Sequence, residues 1–510
     1  MKKRNANTPY FPFLDKLDID QDVKSRLSIN LSGIYSGNDN VLITPIAKVK
    51  SPEFILSEWS KVFNGNRDRM NDILIEIEES QQSKTGPRSK SLPWSERWEQ
   101  TVKYFEDTTV DYSALDAFPD APRDKGCLRP LSIAQAIKFL KNGTNSGLPH
   151  YTRKGKVKDR LVSKFEYYLS RKDPCVLFTR TQEMLKTRDV WGYPMADTLN
   201  EMMFYKPVLD YQKKLHWRAA LKGPKEVDHR LTHIINEAKM RGLELISVDF
   251  SNYDRSLKRD LQFKIFEYYK YLFQSSYSSR LHDICDRKSS IGLVTPDGIM
   301  QGFHGEPSGS TFTNEDDSIG QYIISRDSGA LEDDLFNIQG DDGVYAIQPD
   351  KVVSLYSNFK RYGIDINEDK SSRSSDYLIY LQNLYHIDYQ KKGVIGGVYP
   401  TFRALNRILY QERWSNFEDY DILGSDYYSI RAISILENCK HHPLFENLVR
   451  FVLKYDKFGL RPTQKGIRQY VNMLSDSSGI EGIIQNQYGD DVKGMNSFET
   501  VKLIKRIDKA

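Results

Sequence analysis

The sequence predicts an α+β fold. Strand-like and helical stretches alternate through its middle without the glycine-rich fingerprint that opens a doubly wound sheet. A tight apolar hairpin stands at Phe336–Tyr345, and the chain after about Pro400 reads mainly as helix. Taken in order, Glu78 to Pro93 is rich in Ser, Gln, Lys and Glu and reads as an exposed loop or linker. Leu131 to Lys141 has helical spacing behind Ser132 as N-cap, with Gly143 past its end. Asp228 to Arg241 is a helix stopped by Gly242, leading into a strand at Leu243 to Val248. Arg259 to Phe273 repeats Phe and Tyr at helical spacing, and a helix over Thr313 to Ser325 follows the glycine-rich Gly302 to Gly309. A helix over Lys351 to Tyr362 ends at Gly363, and the basic stretch Val501 to Lys509 is amphipathic. Gly479, Gly482 and Gly489 suggest flexible loops in the tail from Ser475 onward.

Composition narrows the function classes. The 510 residues suit several domains or one multi-lobed unit. No apolar run approaches the roughly 18 residues that span a membrane, and Met1 to Asp20 lacks a signal-peptide core, so secretion is not expected. Four cysteines without a CxxC pair suggest neither a zinc module nor a disulfide framework, and a reducing compartment is the default. Cys439 lies near His441 and His442, but a cluster without a second ligand pair rarely closes around a metal. The net charge of +4 is nearly balanced, yet its distribution is uneven. Tyr151 to Val190 holds eleven basic against five acidic residues, with Phe165, Tyr167, Tyr168, Phe178 and Trp191 interleaved or adjacent. Such a run is either a solvated face or the wall of a nucleic-acid groove.

The chemistry concentrates in three places. Gly340 and Gly343 permit a sharp reversal that pushes Asp341 and Asp342 out at a hairpin tip, where they are solvated or hold a cation. Leu243 to Asp249 reads as a buried strand finishing on a carboxylate, placed to reach such a turn; Asp249 standing alone would equally serve as a helix N-cap. Paired with Asp341, it could chelate two divalent ions about 3.5–4 Å apart for in-line phosphoryl displacement. Between them, Pro307-Ser308-Gly309 feeds a helix and suits close backbone approach to a nucleotide. Thr313 and Asp317, spaced i and i+4, share one face of that helix.

Asp249xxxxAsp254, then Ser308-Gly309xxxThr313, then Gly340-Asp341-Asp342, each in its strand, loop–helix or hairpin setting, resembles motifs A, B and C of viral RNA-dependent RNA polymerases. Arg180-Thr181-Gln182 with Lys186 to Gly192 resembles the basic fingers motif F, and Thr144 to Pro149 the template-guiding motif G. Asn367 to Lys370 resembles motif D and Tyr380 to Asn383 motif E. The strings are most similar to polymerases of double-stranded RNA viruses, picobirnavirus first and partitivirus second.

The resemblance implies a closed right hand of fingers, palm and thumb, with an antiparallel palm sheet flanked by helices. Residues 1–130 would bridge fingers and thumb, and 131–240 form fingers with part of the palm. Residues 241–260 would carry motif A, 261–300 a fingers insertion, 301–395 motifs B to E, and 396–510 the thumb and tail. It implies Asp249 and Asp341 as ligands of two magnesium ions, with manganese as a possible substitute and Asp342 adjusting or joining the site. Lys186, Arg188 and Arg180 would hold the triphosphate, Lys370 would act as general acid for pyrophosphate, and Asp254 would sense the ribose hydroxyls. Ser308 and Gly309 would lie in the loop that senses the base pair. One departure stands out: many single-stranded RNA virus polymerases have asparagine four residues after the motif B threonine, where it helps select ribose; this chain has Asp317 there, the candidate by spacing, while Asn314 follows Thr313 directly and is the weaker one. An ionised Asp317 accepts a hydrogen bond but cannot donate one. The implied partners are RNA template, nascent RNA, NTPs and a viral capsid protein, for a monomer without membrane attachment in the virion interior and host cytoplasm. A reverse transcriptase is the first alternative, although Gln339-Gly340 stands where those enzymes usually carry an aromatic residue. A non-catalytic RNA-binding protein with a polymerase-like palm is the second.

Overall fold

The computed structural model describes residues 11–48, 50–117, 124–478 and 492–509. The tail glycines Gly479, Gly482 and Gly489 lie outside them. Two four-stranded sheets organise the molecule. Their strands are β1 (Cys175–Thr181), β2 (Thr187–Gly192), β3 (Glu244–Val248), β4 (Leu293–Thr295), β5 (Gly298–Met300), β6 (Leu331–Gln339), β7 (Asp342–Ile347) and β8 (Ser372–Ser374). The central sheet runs β6-β7-β3-β8, antiparallel throughout. The outer sheet runs β2-β1-β4-β5, with β1 and β4 parallel.

Alternation splits the central strands between two cores. Ile246, Val248 and Tyr345 face the helices Arg259–Leu272, Thr313–Asp327 and Val352–Arg361. Leu245, Val344 and Ala346 face the helix Pro224–Arg241, which Gly242 ends in a left-handed conformation. The Arg259–Leu272 helix thus shares the core beneath the central sheet, whereas β4 and β5 of the same segment complete the outer one. Mixed helices and antiparallel pairs make this the expected α+β fold.

Two sequence expectations change. Leu131–Lys141 carries the capping box of Ser132 and Gln135, but its α-helix covers only Ile133–Ala136 before tightening to a 3-10 turn. It lies across the helix Met195–Gln212, and the chain then turns towards Gly143. Glu78 to Pro93 is not simply an exposed loop. Its first residues finish the helix Asp72–Ser83, and Glu78 is fully buried. The Glu78 carboxylate accepts from the Thr401 N–H at 2.6 Å, the Thr401 hydroxyl at 2.7 Å and the Phe402 N–H at 3.1 Å, capping a helix 323 residues away. His442 Nε2 stands 2.9 Å from the same carboxylate, which occupies that histidine structurally. Ile55, Trp59, Phe63 and Leu74 accordingly pack into one core with Phe402, Ile433, Leu448 and Leu503.

Candidate active site

The register of the central sheet builds the site. Val248 pairs with Gly343, so the residue after β3, Asp249, and the turn between β6 and β7 meet at one sheet edge. Gly340 turns with φ +64°, a left-handed conformation that costs most side chains roughly 1 kcal/mol or more. Its N–H donates to Ser318 Oγ at 2.8 Å. No helix begins on Asp249: the turn Tyr253–Ser256 starts later, behind a left-handed Asn252. The Asp249 N–H donates to Ser371 Oγ at 3.0 Å and its carbonyl accepts from Asn367 N–H at 2.7 Å. This places Lys370 beside Asp249.

A cavity of about 2090 Å³ opens over this edge. Asp249, Asp254, Asp341, Lys186, Arg188, Lys370, Ser308 and Gly309 line it, as does Arg180. The β1–β2 hairpin supplies the cations by simple alternation. Thr187, Asp189 and Trp191 are buried while Arg188 faces out. Asp189 is fixed beneath by Arg97 at 2.8 Å and the Thr101 hydroxyl at 2.5 Å. Gly309 lies against β2 so closely that a Cβ there would stand 1.7 Å from the Trp191 carbonyl oxygen, so only glycine fits.

The electrostatics are strongly coupled. Burial and the neighbouring Asp341 push the Asp249 carboxyl up, against the pull of Lys370, Lys186 and Arg188. Asp342 is pushed up to about 7 by burial and then by Asp341 and Asp249. Asp254 rises to about 6 through burial and Asp341. Lys186 is lowered by burial, Arg188 and Lys370, although Asp249 and Asp341 oppose this. Carboxylates that raise one another in this way are relieved by a cation, and their oxygens are the hard donors that magnesium prefers. Among the described residues no group of three His, Cys, Asp or Glu side chains encloses an ion by itself. Magnesium sites completed by phosphate and water have that character.

Other sequence candidates sit behind the cavity wall. Thr313 Oγ1 donates to the Pro307 and Ser310 carbonyls, both at 3.0 Å, and so shapes the loop. Asn314 exchanges hydrogen bonds with Gln339 and Glu315, which commits its amide to the hairpin. Asp317 is buried, and its Oδ1 has no hydrogen-bond partner. Burial, then Asp254, Glu306 and Asp341, push its carboxyl well above the usual range, favouring a neutral acid that can donate. The ionised form considered from sequence is thereby disfavoured. Arg180 Nε faces Glu412 at 3.6 Å rather than the carboxylates.

Sequence reading gave no role to Arg97, Glu201, Arg218, Lys288 or Glu315. Glu201 accepts from Thr311 N–H at 2.7 Å and Ser310 Oγ at 3.0 Å, holding the loop from behind. No local spacing marks these residues, because the charged or loop partner that defines each lies more than 80 residues away, except for Lys288, whose buried pairs with Glu306 and Asp316 span a loop.

Residues 125–455 match the family model of viral RNA-dependent RNA polymerases. A curated relative, the potential RNA-dependent RNA polymerase of Human picobirnavirus (strain Human/Thailand/Hy005102/-), is 28% identical over 493 residues, which cover 91% of this chain and 88% of the relative. The crystal structure of the RNA-dependent RNA polymerase of a human picobirnavirus superposes with a TM-score of 0.79 at 25% identity, covering 98% of this chain and 100% of that one. An insertion loop deletion mutant of such a polymerase gives a TM-score of 0.80 at the same identity and coverage. The carboxylate edge, its cationic hairpin and the match over most of the chain converge: this protein belongs to the viral RNA-dependent RNA polymerase family and is an RNA-directed RNA polymerase.

Proposed function

We propose that the chain adds NTPs to an RNA 3′ end with two divalent ions, magnesium or in its place manganese, held by Asp249 and Asp341 with Asp342 adjusting the site. When bound, such ions activate the 3′-hydroxyl and neutralise charge on the α-phosphate and the departing pyrophosphate. The observation that carries this reading is the sheet register, which sets Asp249 and the Asp341 turn side by side at the cavity floor. Lys186 and Arg188 hold the triphosphate, Arg188 through its planar fork and Lys186 as a point charge. Arg180 is the weaker contact, since Glu412 already faces it. Lys370 delivers a proton to pyrophosphate. Asp254 meets the ribose hydroxyls with Asp317 behind it, while Ser308 and Gly309 follow the base pair.

The same reading divides the molecule into a hand. Fingers surround the outer sheet, the palm is the central sheet, and the thumb is helical from about residue 396. The hydrogen bonds of Thr44 to Leu409 and of Glu78 to Thr401 support an N-terminal bridge. Among the described residues no helix is long and apolar enough to cross a membrane. A monomer acting in the virion interior and host cytoplasm beside a capsid protein follows from the resemblance to double-stranded RNA virus polymerases.

Primer extension on RNA with magnesium, comparing NTPs with dNTPs, tests the reading. Asp341→Ala is expected to lose at least about a hundredfold in rate. Equal activity of that variant overturns the metal assignment.

A further inference from the structure

The helix Thr313–Asp327 opens with three successive acids that part company. Asp316 pairs with the buried Lys288 at 2.7 Å, and Asp317 lies behind Asp254. Glu315 turns towards the catalytic hairpin instead. Fully buried, it takes both arms of the equally buried Arg218, Nη1 at 2.7 Å and Nη2 at 3.0 Å. The same guanidinium donates to Gln339 Oε1 at 3.3 Å and to Gln212 Oε1 at 3.2 Å. Gln339 donates to Asn314 Oδ1 at 2.9 Å, and Asn314 donates to Glu315 Oε1 at 3.2 Å. The contacts therefore close a ring of Arg218, Glu315, Asn314 and Gln339. Gln339 is the last residue of β6, two before Asp341.

Neither Arg218 nor Glu315 lines the cavity. A buried ion pair is a poor source of stability, since well-packed apolar residues often serve as well. What a forked guanidinium does supply is direction, because two parallel hydrogen bonds fix both distance and angle. Here that direction is passed to the residue from which the turn departs.

We propose that Arg218 and Glu315 are positioning residues that, through Gln339 and Asn314, fix the height at which Asp341 meets Asp249. The inference rests on the proposed role of those two aspartates as metal ligands. It makes the separation of the metal-binding carboxylates a property of a polar ring outside the cavity, shared by the Thr313–Asp327 helix and the segment His216–Lys222.

Two variants test it: Gln339→Met, which cuts the link to the turn, and the double variant Arg218→Met with Glu315→Leu. In both, kcat for nucleotide incorporation is expected to fall by about tenfold to a hundredfold, while KM for NTP changes by less than about threefold. The magnesium concentration for half-maximal rate rises, and manganese binding followed by electron paramagnetic resonance weakens in parallel. The melting temperature of Gln339→Met stays near that of the parent, which separates misplacement from unfolding. Parent-like kcat and manganese binding in Gln339→Met overturn the proposal, and this variant decides the matter if the double variant does not fold. Asp341→Ala run alongside separates the two hypotheses. If it still binds manganese and extends the primer, the metal assignment falls; if it fails while Gln339→Met is unaffected, only the positioning role falls.

Discussion

Burial brings the protonation of Asp342 and Asp254 close to neutral pH. Both carboxyls lie above the ordinary range, at about 7 and about 6, chiefly because burial penalises their charged forms. A raised carboxyl favours the fold while it is protonated, so ion-free stability falls as pH climbs from roughly 4 towards 7. In the proposed metal site, Asp342 would bind an ion in its deprotonated form. Incorporation should therefore rise through pH 6 to 7, and because a divalent cation competes with the proton, a tenfold increase in magnesium should move the midpoint down by up to about one pH unit. Rates measured from pH 5.5 to 8 at two magnesium concentrations check this, and a midpoint indifferent to magnesium contradicts it. Asp317 shows a limit of residue-level reading. Its spacing from Thr313 was visible in the sequence, but its protonation depends on Asp254, Glu306 and Asp341, which only the fold assembles.

At the scale of elements, carboxylates that cap threonine-led segments recur as joints. Glu78 receives Thr401, Glu201 receives Thr311, Asp426 receives Thr463 and Glu437 receives Thr500, each through the backbone N–H and the hydroxyl. Removing one leaves buried donors unpaired. Glu78→Ala should lower stability by about 2 kcal/mol or more, whereas Glu79→Ala, exposed beside Arg67, should change it by less than about 1 kcal/mol. Chemical denaturation followed by tryptophan fluorescence compares the two, and equal effects would remove Glu78 from this role. Elements with a complete local signal were legible in advance, such as the helix closed by Gly242 and the strand that leads into Asp249. So was the hairpin turned by Gly340, because backbone conformation there is dictated by the residues themselves. The short Ile133–Ala136 helix and the buried Glu78 were not, since their outcome is decided by a distant helix that no local pattern announces.

Across the whole molecule, charged groups tie the β1–β2 hairpin to the helical region after about residue 400. Buried Arg88 reaches Glu183 at 3.0 Å and Glu412 at 3.8 Å, while Arg403 reaches Glu183 at 3.6 Å and Arg180 reaches Glu412. Arg88 comes from the N-terminal segment, so three distant parts of the chain share one clasp around the cavity. Arg88→Ala should loosen the hairpin tip, where Met184 and Leu185 are exposed, and speed its proteolytic cleavage by several-fold, roughly the effect of 1 kcal/mol of local opening. Limited proteolysis followed by mass spectrometry reads this directly; an unchanged cleavage rate would mean that the remaining pairs suffice.

The reach of Glu78 also sets a timetable for making the protein. Its partners at Thr401 and Phe402 leave the ribosome 323 and 324 residues later, on the order of half a minute at ordinary elongation rates. Through that interval the helices Pro52–Asn64 and Asp72–Ser83 have been synthesised but lack the part of this core that Phe402, Ile433 and Leu448 supply around Trp59, Phe63 and Leu74. The segment that carries Trp59, Phe63 and Leu74 thus waits on a helix made much later, and a nascent chain cut short before Thr401 leaves it without Phe402 to fold against.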